Sequence, residues 1–234
     1  LTLFMAAGNH TTNPAIRKVP YDTARIFVPI AIVSETPNVV LVNNELPVHT
    51  LPELVGYLKA NPGKLNYASS GTGGTVHLAG ELFKQVTDTK IVHLPYKGAA
   101  PAMGDVIAGH AHLSFPSLTS AMALVDAKML RVVAVMSRHR IPYLPDVPTA
   151  TEQGVPGLEI DTWYGLLAPL GTPEPVLRKL RADVNTVLKL PAVVERMRVQ
   201  AMRPVGGTPE EMQAMIEREL KTWRELAQKI GFKP

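Results

Sequence analysis

The residues best suited to chemistry lie in one run, Asn66-Tyr-Ala-Ser-Ser-Gly-Thr-Gly-Gly-Thr-Val-His-Leu-Ala-Gly-Glu81. A strand-like piece enters a glycine-rich turn, and an amphipathic helix is expected from about Thr75. Glycines permit unusual dihedral angles and close backbone approach, so amides and the hydroxyls of Ser69, Ser70, Thr72 and Thr75 can converge on one spot. The positive end of the helix adds to them, giving an anion pocket without a charged side chain. The same residues also suit a plain strand–helix turn with hydroxyl caps, and the segment alone leaves both readings open. Nucleotide binding does not fit: Gly71-Thr-Gly-Gly74 lacks the lysine of a P-loop and the spaced glycines of a dinucleotide fingerprint.

A second run, Leu94-Pro-Tyr-Lys-Gly-Ala-Ala-Pro-Ala-Met103, repeats the design. A strand ends in a small-residue turn, and Pro101 suits the first turn of the next helix. Two such turns at carboxyl ends of strands would face one crevice of an open α/β sheet. The amides of Gly98 and Ala99 are the expected donors, ahead of the Lys97 ammonium.

Catalytic alternatives are thinner. Ser69, Ser70, His77 and His93 invite a serine hydrolase, but the Gly-x-Ser-x-Gly elbow is missing and no histidine has a triad context. His110-Ala-His112 could join His77 or His93 around a metal, yet no acidic partner stands at ligand spacing. No catalytic residue, metal or cofactor is therefore expected.

The elements needed to position these turns alternate short β-rich runs with longer helical ones, the pattern of an α/β fold. Strands are expected at residues 1–6, 26–33, 39–42, 65–68, 91–94, 113–115, 130–136 and 164–168. Several are continuous apolar runs, as in parallel strands covered on both faces. Thr50–Glu53, Thr149–Glu152 and Thr208–Glu211 each fit a capping box at a helix start. Behind Thr208, the residues Met212, Met215, Ile216, Leu220, Trp223 and Ala227 form a core-facing stripe, and Val176, Leu177, Leu180, Val184, Val187 and Leu188 form another. The prolines sit between elements as rigid connections. Strand crossings at Pro37–Asn43 and Asp161–Leu167 would join two lobes, with a cleft between them as the natural ligand site.

The formal charge of +4 invites a nucleic-acid reading, but its location argues against one. Residues 1–162 carry 12 basic and 12 acidic side chains; residues 163–234 carry 12 and 8. The excess is spread along helices with acids interleaved, which describes a solvated surface. No apolar run is long enough for membrane insertion. The absence of cysteine rules out disulfides. The opening Leu1-Thr-Leu-Phe-Met-Ala-Ala-Gly8 suits a first strand better than a leader peptide, which suggests a cut or incomplete chain.

Taken together, several runs resemble one family. They are Tyr67–Phe83, Val92–Ala102, Leu144-Pro-Asp-Val-Pro-Thr149, Trp163-Tyr-Gly-Leu-Leu-Ala-Pro169 and Gly171-Thr-Pro173, with Asn13-Pro14 and Pro20-Tyr-Asp22 upstream. In order and spacing they are similar to the Bug (TctC-like) periplasmic solute receptors of tripartite tricarboxylate transporters. The resemblance spans nearly the whole chain.

It implies a type II bilobed periplasmic-binding-protein fold of two α/β lobes joined by crossing strands. Lobe 1 would be residues 1–40 with 163–234, and lobe 2 residues 41–162. The first lobe would be incomplete at its N-terminal side, because family members carry a signal peptide, a strand and a ligand-gripping loop ahead of the segment that begins here. The implied function is capture of a small carboxylate (a di- or tricarboxylate, an amino acid or an aromatic acid) in the interlobe cleft. Delivery to the transporter's membrane subunits would follow, in the periplasm and without catalysis. The residue match puts Ser70, Thr72, Gly73, Gly74, Gly98 and Ala99 at the ligand, with Asn9 on the first lobe and Ser117 and Thr162 as further contacts. Phe115-Pro-Ser117 stands where family members often have an acidic or amide residue. The alternative is a structural or signalling derivative that keeps the fold with weak or no ligand binding. The sequence leaves the oligomeric state open.

Overall fold

The computed structural model describes residues 2–232. It divides into two compact units, Leu1–Thr36 with Thr162–Pro234, and Pro37–Asp161. The divisions fall at 36/37 and 161/162, where only Asn38 separates strand β2 (Phe27–Pro37) from β3 (Val39–Asn43) and where the strand from Asp161 begins.

The Pro37–Asp161 unit is built on a five-stranded sheet. It comprises β3, β4 (Asn66–Ser69), β5 (Val92–Pro95), β6 (Leu113–Ser114) and β7 (Leu130–Val135), in the order β5-β4-β6-β3-β7. β4 runs parallel to both β5 and β6, whereas β3 is antiparallel to β6 and β7. All five residues of β3 are buried. Its continuous apolar sequence thus reflects burial on both faces, not the parallel pairing the sequence suggested.

Helices α2 (Leu51–Ala60), α3 (Thr75–Thr87), α4 (Ala99–Ile107) and α5 (Leu118–Asp126) complete the unit. α2 buries Leu51, Leu54 and Leu58, spaced as one helical stripe. Thr50 caps it by accepting the Glu53 amide at 3.3 Å. The two ends of the unit are bonded together. The Asn38 amide donates to the Ile160 carbonyl (3.1 Å), Ile160 to Met136 (2.7 Å), and Met136 back to Asn38 (2.8 Å).

The other unit holds β1 (Phe4–Ala7), β2, β8 (Asp161–Pro169) and β9 (Arg203–Gly206), in the order β1-β8-β2-β9. Its helices are α1 (Asn9–Ile16), α6 (Glu174–Val187), α7 (Pro191–Arg198) and α8 (Pro209–Lys229). α8 opens with a full capping box, in which Glu211 donates its amide to Thr208 Oγ1 (3.2 Å) and accepts the Thr208 amide at Oε2 (2.8 Å). Its stripe from Met212 to Ala227 is buried as expected, and Met212, Met215, Ile216 and Leu220 pack with Ala6, Ile32, Trp163 and Leu167. Glu219 Oε2 accepts hydrogen bonds from Thr11 Oγ1 (2.6 Å) and Trp163 Nε1 (2.8 Å), tying α8 to α1 and β8.

Three expectations need correction. The Thr149–Glu152 capping box forms both of its bonds, at 3.1 and 2.8 Å, but no helix follows. Gly154 and Gly157, both at positive φ, and Pro156 turn the chain too soon. Val187 of the α6 stripe is 47% exposed, and Leu177 is the buried residue within that helix. The N-terminal strand begins at Phe4, with Leu1 outside the described residues.

Candidate functional site: a sheet edge of helix starts

Since β4, β5 and β6 are parallel, the chain leaves all three at the same edge of the sheet. Each strand is followed by a helix that begins at that edge: α3 after a turn at Ser70–Gly74, α4 after Tyr96–Gly98, α5 after Phe115–Ser117. A helix start presents amides without intrahelical acceptors and a partial positive charge, so three together form an anion-attracting rim. None of the three helices has a side-chain cap.

The first two turns are laced side by side. The Tyr96 amide donates to the Ser69 carbonyl (2.9 Å) and the Gly98 amide to the Ser70 carbonyl (3.2 Å), extending the β4–β5 ladder. Gly71 (φ 143°), Gly73 (φ 81°) and Gly98 (φ 120°) hold backbone conformations that side chains rarely adopt. A Cβ on Gly71 would make only an ordinary contact, 3.6 Å from the Tyr96 carbonyl oxygen, so conformation and not space reserves that position for glycine.

Beneath the rim lies a buried polar cluster. The Gly73 amide donates to His77 Nδ1 at 3.0 Å. Ser69 Oγ donates to the Gly71 carbonyl (3.0 Å), accepts the Gly71 amide (3.3 Å) and lies 2.6 Å from His93 Nε2. The His77 and His93 rings stack with centroids 3.9 Å apart, and Tyr67 stacks on His93 at 4.9 Å. Tyr67 Oη donates to Glu81 Oε1 (2.8 Å), which Lys84 also holds at 2.9 Å. Burial lowers the pKa of both imidazoles; His93 falls to about 4, with the neighbouring His77 as a second cause. Burial and the Glu81 carboxylate push the Tyr67 phenol up.

The structure gathers Ser70, Thr72, Gly73, Gly74, Gly98, Ala99 and Ser117 on this rim. Ser70, Thr72 and Ala99 are exposed there, and Gly74 immediately precedes α3. Ser117 precedes α5 and bonds through Oγ to Ser120 Oγ at 3.1 Å. The amides of Gly73 and Gly98 are bonded within the protein, so these two glycines shape the turns, while the first-turn amides of α3 and α4 lack intrahelical acceptors. Asn9, exposed at the start of α1, and Thr162, half-buried in β8, belong to the other unit. Sequence reasoning missed the supporting role of His77 and His93, although a histidine in the first turn of a helix, four residues before a glutamate, was visible.

Among the described residues no group of His, Cys, Asp or Glu could hold a metal ion, and no helix is long and apolar enough to cross a membrane. His112 instead meets Asn66 Oδ1 through Nδ1 at 2.9 Å, and His110 lies 3.6 Å from Asp105.

An amide-rich rim on a two-unit α/β chain is the construction of a solute-binding protein. The profile of the Tripartite tricarboxylate transporter family receptor matches residues 1–232, and the chain belongs to that family. It is 36% identical over 210 residues to the UPF0065 protein in the tcbD-tcbE intergenic region of Pseudomonas sp. strain P51, covering 89% of this chain and 62% of that relative. With protein BugT of Bordetella pertussis it shares 31% identity over 92% of this chain and 66% of that protein. The chain thus spans just under two thirds of the length of these relatives. Among solved structures it is similar to R. palustris Rpa4515 with adipate, at a TM-score of 0.89 and 34% identity over 99% of this chain and 78% of that one. The family fold is the bilobed periplasmic binding-protein fold expected from the sequence.

Proposed function

We propose that the chain is the ligand-binding part of a periplasmic receptor that captures a small organic acid and hands it to the membrane subunits of a tripartite tricarboxylate transporter. One observation carries this reading: three uncapped helix starts on one sheet edge, fringed by the hydroxyls of Ser70, Thr72 and Ser117. A carboxylate fits such a rim because amides supply directed donors and the helix ends supply the positive field. The relative with bound adipate and MatC of Rhodopseudomonas palustris with bound malate support a carboxylate as the ligand class.

Binding without catalysis is favoured by the state of Ser69. Its 2.6 Å approach to His93 resembles a nucleophile and its base, but Ser69 is fully buried and its oxygen is engaged by Gly71 on both sides. A reacting carbonyl has no access to it.

A thermal-shift panel of dicarboxylates, aromatic acids and amino acids tests the reading, with hits titrated by calorimetry. A ligand at about 100 times its Kd stabilises the folded state by about 2.7 kcal/mol. The expected outcome is a saturable shift with at least one acid, reduced by T72V and by a bulky residue at Gly74. A chain that melts cooperatively and responds to no acid would instead be the structural or signalling derivative.

A further inference from the structure

We propose that His77 is the positioning residue of the anion-binding turn, and that it holds the turn only while its Nδ1 is unprotonated, so that acid weakens carboxylate capture. This rests on the receptor reading above.

The geometry separates the two stacked histidines, His77 buried and His93 half-buried. Gly73 presents its amide hydrogen to His77 Nδ1 at 3.0 Å, which requires a bare lone pair there. Neutral His77 is therefore the Nε2–H tautomer, with Nε2 3.9 Å from Glu81 Oε1. A proton on Nδ1 would set two N–H groups against each other, and Gly73, at φ 81° in a buried turn, would have to move. His93 differs. With the Ser69 proton on the Gly71 carbonyl, His93 donates through Nε2–H and can do so neutral or charged. The proton-sensitive contact of the turn is thus His77 to Gly73.

The groups facing His77 come from three elements. Tyr67 on β4 stacks against it at 6.4 Å and His93 on β5 at 3.9 Å; Glu81, with Lys84 bound to it, lies on its own helix. Glu81 favours the imidazolium, while burial, Lys84 and a charged His93 oppose it. Burial ranks first, so His77 stays neutral at ordinary pH and gains its proton only in acid.

The test pairs a ligand-free readout with a binding one. In the free chain, nitrogen NMR should show the Nε2–H tautomer of His77 at about pH 7.5 and a Gly73 amide protected from exchange, with protection lost when the chain is acidified until His77 takes up its proton. H77N keeps an acceptor oxygen near the Nδ1 position but cannot titrate, whereas H77L removes the acceptor. Calorimetry with adipate as probe should find H77L weaker by about tenfold at pH 7.5, the effect of one unsatisfied buried amide. Wild type should lose about tenfold more affinity than H77N over that acidification, since protonation of the adipate itself acts on both. Equal pH profiles for wild type and H77N, or the same Gly73 protection in wild type and H77L, would overturn the proposal. If adipate binds no form at any pH but Gly73 protection follows His77, the positioning role stands and the carboxylate reading fails.

Discussion

The Tyr67 ring occupies the space that a side chain on Gly80 would need: a Cβ built there lies 2.2 Å from Tyr67 Cε2. Tyr67 is fully buried and fixed by its hydroxyl bond to Glu81, so the ring cannot yield. Helix propensity alone would have G80A gain up to about 1 kcal/mol. The steric contact reverses the sign, and G80A should lose about 1–3 kcal/mol in urea unfolding. A variant as stable as wild type would show that the ring and helix can part.

Glu219 carries the second prediction. Burial raises its pKa despite the bonds from Thr11 and Trp163. A carboxyl whose folded pKa lies above its unfolded value loses stabilising effect as pH rises from 4.5 through the folded pKa. E219Q keeps an acceptor for both donors and should flatten that part of the stability–pH curve. E219A leaves the buried Trp163 Nε1 unpaired and should cost about 1–3 kcal/mol. Identical unfolding midpoints for both variants would remove the hydrogen bonds from the account.

The two stacked imidazoles impose the opposite slope. For His93, lowered from 6.5 to about 4, the unfolded chain takes up its proton first as pH falls. Stability should therefore decline from about pH 6.5 through about pH 4 and level off below. Chemical denaturation at stepped pH, followed through a probe in the Pro37–Asp161 unit, measures it. A flat curve over that window would mean that His93 reaches solvent.

Gly98 separates conformation from crowding. A Cβ there meets nothing within 4 Å, yet its φ of 120° and ψ of 172° suit glycine almost alone. G98A should cost about 1–3 kcal/mol through backbone strain. It should also loosen the bond to the Ser70 carbonyl and raise the Kd for any acid the rim accepts. Unchanged stability together with unchanged affinity would release Gly98 from the site.

The buried strands were legible because runs such as Val39–Val42 leave few alternatives, and the capped start of α8 was legible from Thr208 and Glu211. α1 was not. Asn9 to Ile16 includes Pro14 and five polar residues of modest helix propensity, and its place comes from packing on α8 and from Thr11 meeting Glu219, partners 208 residues apart. β9 hid behind Pro204 and Gly206, which an edge strand tolerates. At the site, the glycines and hydroxyls announced an anion turn. Which amides were already bonded could not be read, because that depends on where Ser70 and Gly98, 28 positions apart, meet across two strands.

The hydrogen bonds joining Asn38, Met136 and Ile160 have a consequence for how such a chain can be taken apart. A segment whose first and last residues touch enters and leaves its host through a single doorway. Closing that doorway on a short linker carries little chain entropy, because the ends are already adjacent. Residues 37–161 therefore form a transplantable cassette: the sheet, its three helix starts and the histidines beneath them can travel together into another host protein.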